Sequence, residues 1–221
     1  PPARSSPSCP CCSAAELEPV PHPGWPARLG WGPVELSPLR RRDAAEWSRL
    51  RNANEEWLRP WEPTSAQPWP ARHSPAAYRA MRRTVARRAR LGTSLPFAVR
   101  VDGQLAGQVT VDNIVRGALR TGYLGYWIDR GVAGRGMGSL AVALVCDHAF
   151  GAMGLHRLQA DIRPENEPSR RLVERLGFTR EGVLRRYLDI DGEWRDHLAY
   201  ALLADDLPRG ALARWRSRSG L

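Results

Sequence analysis

A glycine-rich segment is the part of the sequence whose residue types most clearly suggest chemistry. It reads Gly134-Arg135-Gly136-Met137-Gly138-Ser139, and it joins a strand-like run ending at Ile128 to an apolar helical run. Glycine lets the backbone turn tightly and approach a ligand. The first N–H groups of a helix lack intrahelical partners and carry the positive end of its dipole. We therefore expect a site for phosphate or pyrophosphate at this turn.

Two common phosphate motifs do not account for this segment. A Walker A loop requires lysine, and all 33 basic residues of the chain are arginine. The dinucleotide fingerprint is G-x-G-x-x-G, whereas only one residue separates the second and third glycines here, Gly136 and Gly138. That fingerprint also belongs to a βαβ unit, whereas hairpin-like strands precede this segment. The remaining alternative is an ordinary glycine-rich turn between two capped elements. The absence of lysine also excludes Schiff-base chemistry on this chain.

The elements around this segment predict an α/β fold with a mixed sheet. Asp102-Gly103 and Asp191-Gly192 each separate two strand-like runs, which is a strong hairpin signal. The predicted order is a strand, two helices, three antiparallel strands, a helix, a strand, a helix and two strands, which excludes a fully parallel sheet. The predicted helices run from residue 43 to about 58, from 75 to 91, from 139 to 153, from 168 to 176 and from 205 to 216.

Several short motifs occur in an order that resembles a known family. They are Trp57-Leu58-Arg59-Pro60-Trp61-Glu62-Pro63, Gly125-Tyr126-Trp127-Ile128, Ala133-Gly134-Arg135-Gly136, Pro164-Glu165-Asn166-Glu167-Pro168-Ser169, Leu176-Gly177-Phe178 and Asp191-Gly192-Glu193-Trp194-Arg195-Asp196. This set resembles the GNAT N-acetyltransferase superfamily, and within it the RimJ/RimL branch, which acetylates N-terminal amines of ribosomal proteins. The resemblance covers about residues 25–206.

The resemblance implies a GNAT fold, in which helices flank a central, mostly antiparallel twisted sheet. The acetyl-CoA loop would lie between the fourth strand and the following helix, and no metal is expected. Trp127 and Ile128 would pair through their backbone with the pantetheine arm, Asn166 would hydrogen-bond the cofactor, and Ser169 would protonate the leaving thiolate. The pyrophosphate would contact the backbone N–H groups of Arg135, Gly136, Met137, Gly138 and Ser139.

From the residues alone, Asn166 and Ser169 are equally well explained as caps near a helix start. The resemblance also implies that Trp61, Trp69 and Tyr126 border the site of an acceptor amine. Trp47 and Trp57, at helical spacing, are interpreted as core residues.

Two positions depart from the family. Ala133 stands where the phosphate loop usually has arginine or glutamine, and Leu188 stands where some RimL-type enzymes carry a glutamate proposed as general base. Asp189, Asp196 and His197, which are nearby in sequence, and Tyr126, on the strand beside the cleft, are the alternatives for a base, and each is also explained by a structural role.

The predicted function is acetyl transfer to a protein N-terminal α-amine, with a ribosomal protein as the expected acceptor. Three alternatives remain open at this point. The chain could acetylate a small amine, or it could be a non-catalytic module that binds acyl-CoA or assists ribosome assembly. The third alternative is a nicotinamide enzyme.

Length and composition limit the class of protein and the extent of its domains. The chain has 221 residues and a formal net charge of +10, and its longest apolar run is far shorter than the roughly 20 residues of a membrane helix. The proline-rich residues 1–24 are predicted to be a disordered extension, residues 25–206 the acetyltransferase domain and residues 207–221 a helical tail. Zinc at Cys9, Cys11, Cys12 and His22 fits no common ligand spacing.

The expected location is the cytoplasm, with no membrane partner and with a homodimer as a further expectation. The arginine-rich helix near residues 79–90 is either a solvated face or a weak RNA contact.

Overall fold

The computed structural model describes residues 24–219 of the chain. Within this part the strands are β1 (Leu29–Trp31), β2 (Val34–Pro38), β3 (Leu95–Val101), β4 (Gln104–Val115), β5 (Thr121–Ile128), β6 (Arg157–Ile162), β7 (Thr179–Ile190) and β8 (Glu193–Leu203). They form one sheet in the order β1-β2-β3-β4-β5-β6-β8-β7. All neighbouring strands are antiparallel except β5 and β6, which are parallel. The expectation of a mixed, mostly antiparallel sheet flanked by helices is therefore confirmed.

The predicted N-terminal extension up to residue 23 lies outside the described residues, and so do Cys9, Cys11, Cys12 and His22. The helices of the described part are α1 (Ala44–Ala53), α2 (Glu55–Leu58), α3 (Trp69–Arg72), α4 (Pro75–Arg90), α5 (Met137–Phe150), α6 (Glu167–Leu176) and α7 (Ala211–Ser219). None of these helices is long and apolar enough to cross a membrane.

Helices cover both faces of the sheet because strand side chains alternate between the two faces. On β3, Phe97 and Val99 join the main hydrophobic core beneath α5, α6 and α7. Ala98, between them, belongs to a second core with residues of α1 and α4, including Trp47 and Tyr78. Helix α5 is buried along most of its length, so the element that follows the glycine-rich turn is anchored at the centre of the fold.

Several element boundaries differ from the sequence-based expectation. The first predicted helix is split, because Asn54 leaves helical geometry (φ −105°, ψ 20°) between α1 and α2. Helix α5 begins at Met137 rather than Ser139 and ends at Phe150 rather than Met153.

The last helix begins at Ala211 rather than Asp205, where the chain forms only a short 3-10 turn. The carboxylate of Asp147 accepts hydrogen bonds from the N–H groups of Ala211 (2.6 Å) and Leu212 (3.0 Å) and so caps α7. Trp215 on α7 is buried in the main core. This helix is therefore packed against the sheet-bearing part of the chain.

Candidate active site

Strands β5 and β6 separate after only three paired positions. Their parallel pairing runs from Thr121 with Arg157 to Tyr123 with Gln159. Beyond this point β5 stays paired with β4 as far as Ile128, and β6 stays paired with β8. A gap therefore opens between the two strands at the centre of the sheet, and within residues 24–219 the edge of β5 from Leu124 onward has no strand partner on that side.

Backbone groups of β5 face this gap at alternate residues. The N–H of Asp129 donates to the carbonyl of Ala106 at 2.8 Å, and hydrogen-bonded pairs alternate along an antiparallel ladder. Trp127 therefore directs its backbone to Gln108 of β4, whereas Tyr126 and Ile128 direct theirs to the gap. Of the two residues whose backbone we predicted to pair with a ligand, Ile128 therefore faces the gap and Trp127 does not, although the Trp127 side chain lines the cavity described next.

A cavity of about 530 Å³ occupies the gap. Its walls come from the α1–α2 region, the end of β5, the glycine-rich turn and the start of α6. The lining residues are Glu56, Trp57, Leu58, Pro60, Trp61, Glu62, Tyr126, Trp127, Ile128, Ala133, Gly134, Gly136, Gly138, Ser139, Asn166, Pro168, Ser169, Arg171, Leu172 and Arg175.

The glycine-rich turn presents the start of α5 to the cavity. Gly134 (φ +77°) and Gly136 (φ +79°) adopt left-handed geometry, and Gly136 is the residue immediately before α5. The unpaired N–H groups at this end and the helix dipole make the region favourable for anions. Of the predicted loop residues, Gly136, Gly138 and Ser139 line the cavity. Met137 packs on the core, so only its backbone is available to a ligand, whereas the side chain of Arg135 is exposed.

Asn166 and Ser169 combine the two roles considered for them from the sequence. The Asn166 Oδ1 accepts a hydrogen bond from the N–H of Ser169 at 3.2 Å and caps α6. Both residues also line the cavity. Within residues 24–219 the Nδ2 of Asn166 donates to no protein group, so a cap and a ligand contact are compatible.

Tyr126 lies against the same helix start. Its hydroxyl donates to the backbone carbonyl of Ser169 at 3.3 Å. Burial is the main cause that raises the pKa of Tyr126 well above its usual range. The phenol is therefore neutral at physiological pH and keeps its proton beside the Ser169 turn.

Trp57 and Trp61 form an aromatic wall of the cavity, and Trp69 does not belong to it. Trp69 is buried beneath α1, where its Nε1 donates to the carbonyl of Arg51 at 3.1 Å and its ring lies 4.0 Å from the ring of His73. The prediction that Trp69 borders the acceptor site is therefore wrong. Trp57, which we interpreted as core, lines the cavity instead, and its Nε1 donates to the carbonyl of Ile128 at 3.2 Å.

The segment between α2 and α3 is fixed at several points. Arg163 donates to the carbonyl of Pro60 at 2.7 Å, and its guanidinium lies 5.5 Å from the centre of the Trp61 ring. The hydroxyl of Thr64 donates to the carboxylate of Asp189 at 2.7 Å, near the tip of the β7–β8 hairpin. These contacts hold the aromatic wall in place before any ligand arrives.

Charge is unevenly distributed around the cavity. Glu56 and Glu62 lie on the α2 side, and Arg171 and Arg175 project from α6 on the opposite side. None of these four was predicted, although the spacing of Arg171 and Arg175 places them on one face of α6.

Of the residues considered as bases from the sequence, Tyr126 lines the cavity, whereas Asp189, Asp196 and His197 do not. The carboxylate of Asp189 accepts from Thr64, that of Asp196 accepts from the N–H of Arg186, and the buried His197 ring contacts the carbonyl of Arg195. The part of the chain that the structure describes contains no cluster of three histidine, cysteine or acidic side chains that could hold a metal ion.

The chain is similar in sequence and in structure to known acetyltransferases. The acetyltransferase (GNAT) domain matches residues 34–179. The structure of Mycobacterium smegmatis RimJ, in complex with CoA-disulfide, superposes with a TM-score of 0.87 at 43% identity and covers 90% of this chain and 97% of that one. The alanine N-acetyltransferase of ribosomal protein uS5 from Escherichia coli strain K12 is 30% identical over 171 residues, 76% of this chain and 87% of that protein. A probable N-acetyltransferase of Bacillus subtilis strain 168, YjcK, is 42% identical over 105 residues, 48% of this chain but only 58% of that protein.

Proposed function

The chain belongs to the GNAT acetyltransferase family, and on this basis we propose that it transfers the acetyl group of acetyl-CoA to the N-terminal α-amine of a protein. A ribosomal protein is the proposed acceptor class, because the uS5 alanine N-acetyltransferase resembles this chain over most of its length. The observation that carries the proposal is a single cavity that reaches from the glycine-rich turn to the wall formed by Trp57 and Trp61. We propose residues 25–206 as the catalytic domain, onto whose core α7 packs through the buried Trp215.

The residues present fit acetyl-CoA. The left-handed Gly134 and Gly136 expose backbone N–H groups at the start of α5 to the cavity. The guanidinium of Arg175 adds positive charge, whereas that of Arg171 is ion-paired with Glu167. We propose that the N–H groups from Arg135 to Ser139 bind the pyrophosphate. Ile128 and the Nδ2 of Asn166 supply the polar contacts for the pantetheine arm.

Acetyl-CoA supplies an acetyl group that is activated as a thioester. We propose that the N–H group of Tyr126, which faces the gap, stabilises negative charge on the reacting carbonyl oxygen, while the backbone of Ile128, two residues further along β5, pairs with the pantetheine arm. The Ser169 hydroxyl holds the proton that the departing sulfur takes, and the neutral phenol of Tyr126 lies beside it.

An α-amine suits this cavity better than a lysine side chain. The lining residues include no histidine, Glu62 is occupied by ion pairs with Arg51 (2.6 Å) and Arg72 (2.8 Å), and the remaining carboxylate, that of Glu56, is exposed to solvent. An α-amine with a pKa of about 8 is roughly one tenth neutral at pH 7, whereas a lysine with a pKa of about 10.4 is neutral only about 0.04% of the time. The site therefore favours an acceptor that needs little help in losing its proton.

The test uses labelled acetyl-CoA and two short peptides. One peptide has a free N-terminal alanine and no lysine, and the other has a blocked N-terminus and one lysine. We expect label on the first peptide alone, and we expect Ser169→Ala to lower kcat more than it raises KM. Label on neither peptide would contradict the proposal and would favour a small amine acceptor or a role limited to acyl-CoA binding.

We further propose an RNA contact on α4. Five arginines of this helix share one continuous face at 100° per residue, and none of them forms an ion pair within residues 24–219. The helix contains no acidic residue, so the face is complementary to a phosphate backbone. The arginines are Arg79, Arg82, Arg83, Arg87 and Arg90.

We also propose a cytoplasmic location, where ribosomal proteins are made, and a homodimer. The dimer proposal is supported by large apolar side chains on and beside the edge strand β7, among which Trp194 is 65% exposed and Val183 is 47% exposed. Light scattering after gel filtration should report a dimer for the wild-type protein and a monomer for Trp194→Arg. A monomeric wild-type protein would contradict it.

A further inference from the structure

One buried asparagine connects the acceptor side of the cavity to the glycine-rich turn. Asn54 lies at the junction of α1 and α2 and is 5% exposed. Its Oδ1 accepts a hydrogen bond from the N–H of Arg130 at 2.9 Å, and its Nδ2 donates to the Oδ1 of Asp129 at 2.7 Å. The same Nδ2 also donates to the carbonyl of Leu50 at 2.9 Å, which ties the amide to α1. Both hydrogens and the oxygen of the amide are therefore engaged.

The two residues that Asn54 holds form the entrance to the turn. Asp129 follows β5 directly, and the short 3-10 turn Arg130–Val132 leads into Ala133 and Gly134. Within this turn the N–H of Val132 donates to the carbonyl of Asp129, and that of Ala133 to the carbonyl of Arg130. The orientation of the turn thus depends on where Asn54 places its first two residues.

The side chain at position 133 makes this support more important. The Ala133 side chain has no polar group that could contact a ligand, so backbone N–H groups must supply a larger share of the affinity at the turn. Backbone donors act well only when their directions are fixed before the ligand binds, because any later ordering opposes binding. Trp57 adds a parallel contact from α2, since its Nε1 donates to the carbonyl of Ile128 just before Asp129.

We propose that Asn54 is a positioning residue that orients the glycine-rich turn for the phosphate groups of CoA. It acts through Asp129 and Arg130 and does not line the cavity itself. The inference rests on the proposed function only in taking CoA as the ligand of the turn, and it does not depend on the acceptor.

The test measures CoA affinity by calorimetry in the absence of any acceptor. Asn54→Ala removes the contacts to Asp129 and Arg130, and we expect CoA binding to weaken by about tenfold. Asn54→Asp keeps an acceptor for Arg130 but places a carboxylate against Asp129, so it should also weaken binding. In steady-state assays the KM for acetyl-CoA should rise, while the KM for the acceptor peptide stays within about twofold of the wild-type value.

A charge exchange separates positioning from a general effect on folding. In Asn54→Asp combined with Asp129→Asn, the new amide can donate to the new carboxylate, and the net charge equals that of the wild type. We expect this pair to bind CoA more tightly than Asn54→Asp alone. The matched control is Asn52→Ala on the same helix, because the Asn52 side chain bonds only to Ser48 and should leave CoA affinity unchanged.

The outcomes are distinct. Equal CoA affinity of the wild type and Asn54→Ala, or no recovery in the exchanged pair, would overturn the positioning role. Failure of the wild-type protein to bind CoA would instead contradict the proposed function. Melting temperatures of all variants are recorded, and if Asn54→Ala does not fold, the comparison of Asn54→Asp with the exchanged pair decides.

Discussion

The guanidinium of Arg51 lies 2.6 Å from the carboxylate of Glu62, and this ion pair connects α1 to the segment that forms the aromatic wall. Arg51 is only 2% exposed. It stacks against three indole rings, those of Trp47, Trp69 and Trp127, at 5.1–5.6 Å from their centres. One buried cation thus joins a residue of the cavity, Trp127, to two residues of the core.

Replacing Arg51 should destabilise the protein strongly. In Arg51→Met, Glu62 keeps only its ion pair with Arg72. The ring of His73 loses the guanidinium that donates a hydrogen bond to its Nε2 at 2.9 Å. Breaking a fully buried ion pair from one side costs about 3–5 kcal/mol, and the loss here should lie at the lower end of that range because the Glu62 side chain is 28% exposed and keeps Arg72. Urea unfolding should show a loss of this size for Arg51→Met. The control Arg49→Met, at an exposed position of the same helix, should stay within about 0.5 kcal/mol of the wild type, and similar losses for both variants would contradict the ion-pair explanation.

Acid should weaken the same region through His73. Its Nδ1 lies 3.0 Å from the carbonyl of Trp69 and its Nε2 lies 2.9 Å from Arg51, so the buried ring accepts from a cation and favours the neutral form. Burial and, to a smaller extent, the charge of Arg51 lower the pKa of His73 from 6.5 to about 4. The unfolded chain therefore binds the proton first, and the stability contribution is present above pH 6.5 and lost as the pH falls towards 4.

The measurement is the free energy of unfolding between pH 7.5 and 4. The slope due to His73 is at most about 1.4 kcal/mol per pH unit. His148 and His197 also have lowered pKa values, mainly through burial, and contribute with the same sign. The informative quantity is thus the difference between the wild type and His73→Gln, which should show a shallower dependence. Identical slopes would exclude a contribution from His73.

The turn before α5 allows a matched pair of glycine substitutions. Gly136→Ala and Gly103→Ala introduce a side chain at nearly the same left-handed φ, +79° and +78°. Each should therefore cost about 1–2 kcal/mol of stability. Only Gly136 lines the cavity, so we expect only Gly136→Ala to weaken CoA binding in calorimetry. Equal CoA affinities of the two variants would argue against a phosphate site at this turn.

Trp57 and Trp69 should separate catalysis from stability. Trp57→Phe removes a donor to the backbone of Ile128 at the cavity, and Trp69→Phe leaves the buried carbonyl of Arg51 unpaired. We expect Trp57→Phe to lower kcat/KM with a small change in melting temperature. Trp69→Phe should lose about 1–3 kcal/mol of stability and keep its KM values. If Trp69→Phe lowered kcat/KM and Trp57→Phe lowered only the stability, the result would indicate that Trp69 rather than Trp57 borders the acceptor site.

The arginine face of α4 predicts salt-dependent RNA binding. Affinity for RNA decreases as the salt concentration rises, so the slope of log affinity against log salt concentration is negative. In Arg83→Gln combined with Arg87→Gln, the magnitude of this slope should decrease by about one for each lost arginine that contacts phosphate. Fluorescence anisotropy with a short RNA duplex measures this slope. The control removes two exposed arginines of β7, Arg180 and Arg185, and therefore the same charge. Equal slopes in the two double variants would indicate that only the net charge of the protein matters.

The sequence alone determined the architecture and the location of the turn that precedes α5. Asp-Gly pairs at positive φ mark hairpins through local geometry, and glycines before an apolar run mark a helix start, so neither depends on distant residues. The proximity of Asn166 and Ser169 to a helix start also follows from local capping preferences. These features could be predicted because neighbours in sequence decide them.

The tertiary structure decided which side chains face the cavity. Trp61 and Trp69 each follow a proline, yet Trp61 lines the cavity and Trp69 is buried beside His73, because α1 and Arg51 fix the direction of the intervening segment. The backbone of Ile128 rather than Trp127 faces the gap, and this depends on the register of β5 with β4. Contacts such as Asn54 with Asp129 join residues 75 positions apart. No local pattern encodes them, since they arise only when the packed core brings α1 to the end of β5.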